Sequence, residues 1–131
     1  MWKDIDDLAL IPKSYKIAGN KTVDVAIVES INDGGSYGDF SDAKSKIRLA
    51  KNIKVEDELI KISDEDILRT YLHELCHSMQ FYYNCEYDEA QAQTFSNFMY
   101  EYLHTKQWYF LQFLKMIVVT GLTVYLKVMM L

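Results

Sequence analysis

The segment His73-Glu74-Leu75-Cys76-His77 contains two metal-binding side chains and a carboxylate that could act beside them. Residues four apart lie one above the other on an α-helix, so His73 and His77 can present their imidazoles to one ion. Glu74 is turned by about 100° around the axis, and its carboxylate can reach a water on the metal without binding the metal itself. This combination suits Zn²⁺-assisted amide hydrolysis. The pattern predicts a zinc site with Glu74 as the general base.

The residues around this pattern predict the helix that it requires. Ser63 is a good N-cap, and three acids follow in the first turn, where the helix dipole favours negative charge. Apolar residues then recur at helical spacing on one face: Leu68, Leu72, Leu75, Met79 and Tyr82. His73, His77 and Gln80 form a neighbouring stripe. The sequence therefore predicts an amphipathic helix that ends near Asn84.

Length and composition indicate one folded domain of the α+β class. The chain has 131 residues, half of them hydrophobic, and a net charge of −5. This acidic balance without a basic patch argues against a nucleic-acid partner. The two cysteines cannot form a disulfide framework, and free thiols without a leader sequence predict a cytoplasmic protein. Cys76 is expected to be a small core residue.

The first half of the chain predicts a small, mostly antiparallel sheet. A hairpin is expected from two β-prone runs joined by a turn, followed by a short strand and then an alternating, half-buried strand. Residues 52–62 are predicted to be a charged connector. The predicted strands span residues 14–17, 22–28, 36–40 and 45–51.

A second helix is predicted from about Tyr87 to His104, with an apolar stripe of Phe95, Phe98, Met99 and Tyr102 and with small Ala92 and Ser96 beside it. Two histidines leave zinc under-coordinated, so a third ligand is needed. His104 would lie roughly 22 Å along the axis from Glu89, so the two cannot serve one ion.

The acids at the start of this helix are the alternatives for the third ligand. Glu86 projects away from the apolar stripe and is expected to be solvated. Asp88 lies nearer the centre of the stripe, where an unpaired carboxylate would be costly. Glu89 lies beside the core. Periodicity alone leaves Asp88 and Glu89 open as the third ligand.

Residues 70–103 resemble the ImmA/IrrE-type and related phage-encoded zincin metallopeptidases. In those families the H-E-x-x-H helix is followed about a dozen residues later by E-x-x-A-N-x-F-A or a close variant, here the segment from Glu89 to Ser96. The departures are Gln93 for Asn, Ser96 for Ala and Cys76 for Gly. The resemblance implies a zincin-like fold in which His73, His77 and Glu89 bind Zn²⁺ (the gluzincin arrangement) and Glu74 is the general base.

The same resemblance implies a peptide or protein as substrate, from a phage, prophage or bacterial context. A donor for the oxyanion is expected, and Tyr71, Tyr82, Tyr83 and Tyr87 are equal candidates. Residues 45–51 are the candidate for the edge strand that aligns an extended peptide. On that hypothesis, Ile47→Pro would raise KM far more than it disturbs the fold.

The chain divides into a metallopeptidase domain of residues 1–106 and a hydrophobic tail of residues 107–131. The longest uncharged run of the tail after Lys115 has about eleven residues, short of a standard membrane span. An amphipathic helix packed on the domain or a partner is expected, and contact with a membrane interface is the alternative, which would make the protein peripheral to the membrane. A strand hairpin about Gly121 is a third alternative. The sequence does not predict an oligomeric state.

Two other functions compete with the peptidase. One is a non-catalytic interaction or regulatory module that keeps zinc for folding only. Glu74 argues against it, because a folding site needs ligands but no general base. The other is a membrane-tethered regulator in which the motif is incidental, and this hypothesis depends on the tail.

Overall fold

The computed structural model describes residues 6–105 and has an α+β fold in which the strands precede two helices. Single 3₁₀ turns lie before the first strand and between the early strands. The strands are β1 (Ser14–Ile17), β2 (Lys21–Val28), β3 (Gly38–Ser41), β4 (Lys46–Ala50), β5 (Asn52–Val55) and β6 (Glu58–Lys61), and the helices are α1 (Asp64–Tyr82) and α2 (Glu89–Thr105).

Four strands form a mixed but mostly antiparallel sheet in the order β1-β2-β4-β3. The predicted β1–β2 hairpin is confirmed, and β3 also pairs with β4 in antiparallel fashion. β2 and β4 are parallel, with Val25 opposite Ile47 and Ile27 opposite Leu49. The expectation that residues 45–51 form an edge strand is wrong, because β4 is bonded on both sides. β3 is the edge strand on this side of the sheet.

The predicted charged connector of residues 52–62 is also wrong. This segment forms the β5–β6 hairpin, with Ile53 opposite Ile60 and Val55 opposite Glu58. Glu56 and Asp57 have φ values of 50° and 65°, so both turn residues adopt the left-handed conformation of a tight type I′ turn. The alternation of polar and apolar residues in 52–55 indicated a strand, but 58–61 does not alternate and the Glu-Asp turn lacks the usual glycine.

α1 packs on β3 and β4 of the sheet, and α2 packs on α1. α1 buries Leu68, Leu72, Leu75 and Met79 as predicted. α2 buries Ala92, Phe95, Ser96, Met99 and Leu103. Phe98 is a correction, because it is 44% exposed and belongs to the outer face of α2. The hydroxyl of Ser96 donates to the backbone carbonyl of Arg69 (2.6 Å), which fixes the two helices at close approach.

α1 also lies directly against the edge strand β3. A Cβ atom on Gly38 would lie 2.6 Å from Cγ2 of Thr70 and 2.9 Å from the carbonyl oxygen of Arg48. Only glycine leaves room for this approach. The consequence is that the helix carrying the histidines lies beside the free backbone edge of β3.

The predicted boundary between a domain of residues 1–106 and a tail of residues 107–131 lies outside the described residues, as does the predicted structure of that tail. Within residues 6–105, neither helix is both long enough and apolar enough to cross a bilayer.

Candidate metal centre

α1 begins as the sequence predicts. The hydroxyl of Ser63 accepts a hydrogen bond from the backbone N–H of Asp66 (3.1 Å), and Asp64, Glu65 and Asp66 occupy the first turn. This cap satisfies one of the unpaired N–H groups at the start of the helix, and the acids interact favourably with its dipole. Two to three turns later the same helix presents the two histidines.

The part of α1 that carries the histidines is held to the core by residues on its buried face. Ser78 donates its hydroxyl proton to the carbonyl of Leu75 (2.7 Å), so the buried Tyr15 hydroxyl donates to Ser78 Oγ (2.7 Å). Cys76 is 0% exposed, which confirms that it is a core residue. These contacts fix the rotation of the helix about its axis, so that His73 and His77 point towards Glu89 at the start of α2.

Three potential ligand atoms converge at the surface between α1 and α2. His73 Nε2 lies 3.2 Å from His77 Nε2 and 3.3 Å from Glu89 Oε1, and His77 Nε2 contacts the same carboxylate oxygen. A tetrahedral ion with bonds of about 2.0–2.1 Å has ligands about 3.3 Å apart. The three side chains form a group that could hold a metal ion, and two imidazoles with a carboxylate are a donor set that Zn²⁺ accepts.

The short loop before α2 places Glu89 rather than Asp88 at this group. Asp88 is exposed, and its carboxylate accepts from the backbone N–H of Gln91 (3.0 Å), so it caps α2 instead of facing the apolar stripe. The helix begins at Glu89, two residues later than predicted, so Tyr87 and Asp88 lie before it and do not follow its helical spacing. Glu86 is exposed, as expected.

Tyr87 holds the carboxylate of Glu89. Its hydroxyl donates to Glu89 Oε1 (2.7 Å), and its ring stacks on the imidazole of His77 with centroids 4.3 Å apart. This hydrogen bond from Tyr87 lowers the pKa of Glu89, the two neighbouring imidazoles act in the same direction, and partial burial opposes the shift. The same bond raises the pKa of Tyr87 to about 12. Glu89 is thereby kept ionised, as a metal-binding carboxylate must be.

Glu74 lines two neighbouring hollows at the protein surface. A hollow of about 540 Å³ contains both histidines, Glu89 and Tyr87, and a second of about 350 Å³ lies on the other side of His73 and Glu74. Burial raises the pKa of Glu74, and the two histidines partly oppose this shift. A carboxylate with a raised pKa is a better proton acceptor, which is the property of a general base.

The structure distinguishes among the four tyrosines. Tyr87 lines the larger hollow next to Glu89. Tyr71 is buried in the core, the Tyr82 hydroxyl bonds to Ser45 Oγ (2.8 Å), and Tyr83 packs against the core. Of these candidates, Tyr87 alone has its hydroxyl beside the converging ligand atoms in the described part of the chain.

Gln80 belongs to this site, although no role for its side chain was predicted from the sequence. It is 1% exposed, and its side-chain oxygen lies 2.8 Å from Nδ1 of His77. Its side-chain nitrogen donates to the backbone carbonyl of Asp88 (3.1 Å) and to the side chain of Gln91 (2.7 Å). The sequence feature that could have identified Gln80 is its position three residues after His77, on the same face of the helix as the histidines.

His104 lies away from this centre, as the helical spacing predicted. Its Nδ1 donates to the backbone carbonyl of Tyr100 (2.8 Å), and its Nε2 lies 2.7 Å from the carboxylate of Asp7. His104 therefore ties α2 to the 3₁₀ turn before β1.

No protein-family model matches this chain, and no curated protein or solved structure shows significant similarity to it.

Proposed function

We propose that this protein is a zinc-dependent metallopeptidase of the gluzincin type, similar to the ImmA/IrrE-type enzymes, with His73, His77 and Glu89 as ligands. The observation that carries the proposal is the convergence of three ligand atoms from two helices beside a partly buried Glu74. A site that served folding alone would need the ligands but not a carboxylate held in the cleft beside them.

In the proposed reaction the zinc, Glu74 and Tyr87 have separate roles. Zinc, when bound, supplies a Lewis acid that lowers the pKa of a coordinated water to about 7 and polarises the peptide carbonyl. Glu74 accepts the proton of the attacking water and then passes it to the leaving amine. Tyr87 lines the same hollow, and its hydroxyl would donate to a developing oxyanion only by giving up its hydrogen bond to Glu89.

The free edge of β3 is the surface on which an extended peptide would lie. The backbone N–H of Ala50 donates to the carbonyl of Tyr37 (2.9 Å). Because bonded and unbonded pairs alternate in an antiparallel ladder, the backbone groups of Gly38 and Phe40 point away from β4. Both residues line the larger hollow. Strand addition would use these groups, and N-methylation of the substrate amides that pair with them is expected to raise KM without changing kcat.

The experiment measures zinc per chain and peptide hydrolysis in the wild type, Glu74→Gln and Glu89→Ala. Glu86→Ala is the matched control, because Glu86 is an exposed acid of the same loop. We expect about one zinc in the wild type, in Glu74→Gln and in the control, but much less in Glu89→Ala. Hydrolysis should fall by at least about 100-fold in Glu74→Gln, since removal of a general base costs roughly that much or more.

Each departure from this result has a distinct meaning. Full zinc in Glu89→Ala would assign the third ligand to another residue. Zinc binding without hydrolysis of any peptide in a broad library would favour a zinc-stabilised interaction or regulatory module. A wild type that takes up no zinc after reconstitution would overturn the proposal.

A further inference from the structure

The side-chain amide of Gln80 connects the helix of the two histidines to the segment that carries Glu89. Its oxygen lies 2.8 Å from His77 Nδ1 and accepts from the backbone N–H of Asp88 (3.3 Å). Its nitrogen donates to the backbone carbonyl of Asp88 (3.1 Å) and to the side-chain oxygen of Gln91 (2.7 Å). A buried amide that uses all of these contacts is fully satisfied, as buried polar groups must be.

The contacts with Asp88 allow only one orientation of this amide. The backbone carbonyl of Asp88 can only accept, so it must face the nitrogen of Gln80, and the backbone N–H can only donate, so it must face the oxygen. An amide oxygen cannot donate. Consequently the proton shared with His77 belongs to Nδ1 of the imidazole.

A proton on Nδ1 leaves Nε2 as the nitrogen with a free lone pair in the neutral ring. Nε2 is the atom that faces His73 and Glu89. The loop before α2 thus sets the direction of the Gln80 amide, and the amide in turn sets the tautomer of His77.

We infer that Gln80 is a positioning residue that holds His77 in its metal-binding tautomer and also fixes the loop from which Glu89 projects. This inference rests on the proposed zinc site, because its consequence for function is the affinity for zinc. Its structural part concerns His77 and the first turn of α2, and it can be measured without metal.

Two substitutions separate the two roles. Gln80→Met keeps the length of the side chain but removes every polar contact, so the zinc dissociation constant should rise by about 10- to 100-fold. Gln80→Glu can still accept from His77 and from the Asp88 N–H, but it cannot donate to the Asp88 carbonyl or to Gln91. Its zinc affinity should fall less than that of Gln80→Met, because His77 keeps its partner, while α2 frays at its start.

Hydrogen exchange of the zinc-free full chain tests the effect on the loop. The amides of residues 88–92 should lose protection in both Gln80 variants and keep it in the control Gln93→Met, an exposed glutamine that bonds to Asn97. Long-range ¹H–¹⁵N spectra of the zinc-free wild type at mildly alkaline pH should show His77 protonated on Nδ1. This last measurement does not depend on the folding of any variant.

Two results would overturn the inference. One is a wild-type spectrum with the His77 proton on Nε2. The other is a Gln80→Met variant that matches the wild type in both zinc affinity and exchange at residues 88–92. If the wild type binds no zinc, the proposed function fails, yet the spectrum and the exchange data still decide whether Gln80 positions these groups.

Discussion

At the level of single residues, the candidate metal centre depends on the groups that hold the proposed ligands as much as on these ligands themselves. Glu89 is 60% exposed at its side chain, so nothing but hydrogen bonds defines the direction of its carboxylate. Tyr87 supplies one of these bonds and lies flat on His77. An exposed tyrosine in this position is explained by its contacts with two proposed ligands.

Tyr87→Phe should therefore weaken zinc binding while leaving the fold intact. The phenyl ring can keep its stacking on His77, but the hydrogen bond to Glu89 is lost. Loss of such a supporting contact costs about 10- to 100-fold in metal affinity, and we expect the lower end because Glu89 is exposed. Competition with a chromophoric chelator measures the affinity.

The matched control is Tyr82→Phe, which also removes one hydroxyl hydrogen bond, to Ser45, but outside the site. An equal loss of zinc affinity in both variants would contradict a specific role for Tyr87.

The two thiols should differ in reactivity because the thiolate is the reactive form. Burial raises the pKa of Cys76 to about 12, whereas Cys85 is exposed. Iodoacetamide at about pH 8 is expected to label one thiol per native chain, at Cys85, and two after denaturation. Raising the pH to about 10 should not change this, because Cys76 remains protonated well below its raised pKa. Mass spectrometry of the native protein counts the labels, and early alkylation of Cys76 would show that the core opens there.

At the scale of elements, the arrangement of the strands decides which backbone is available to a partner. β4 is bonded to β2 and β3, and Ile47 is 0% exposed. β3 has one free edge, and α1 lies against it because Gly38 has no side chain. The free edge and the histidines are consequently on the same side of the molecule.

Ile47→Pro should destabilise the fold rather than selectively raise KM. Proline removes a ladder hydrogen bond from an interior strand and also deletes part of a buried side chain. We expect a loss of at least about 3 kcal/mol in the free energy of unfolding. Chemical denaturation followed by circular dichroism measures it. A folded variant with unchanged stability would show that β4 is not an interior strand in solution.

At the scale of the whole molecule, the proposed metal would connect the two helices. His73 and His77 belong to α1 and Glu89 to α2. The helices are also joined through their apolar faces and through hydrogen bonds that include Ser96–Arg69, Asn97–Arg69 and Gln91–Gln80. An ion that binds the folded state but not the unfolded chain adds to stability by mass action. A bound metal ion should therefore add to the stability that the hydrophobic core gives to the packing of α1 and α2.

Zinc should raise the melting temperature of the wild type by several degrees. At a free concentration one hundred times the dissociation constant, the stabilisation is about 2.7 kcal/mol. Glu89→Ala should show a much smaller rise, and Mg²⁺ at the same concentration should have no effect, since imidazoles are poor ligands for it. Differential scanning fluorimetry provides the measurement. An equal rise in the wild type and in Glu89→Ala would place the stabilising ion elsewhere.

Features that depend on local periodicity and chemistry could be predicted from the amino-acid sequence. Helix α1, its Ser63 cap, the face shared by the histidines and the β1–β2 hairpin follow from residues close together in the chain. These features could be predicted because helical spacing and capping act over only a few residues.

Contacts between groups far apart in the chain could not be predicted in this way. Strand order depends on pairing between segments far apart, so the parallel β2–β4 contact and the edge position of β3 were not visible in local patterns. The choice between Asp88 and Glu89 depended on where α2 begins, because Asp88 precedes the helix and caps it, whereas Glu89 is its first residue. The role of Gln80 could not be predicted from the sequence either, because its partners lie in a loop that only the packing of the two helices brings near it.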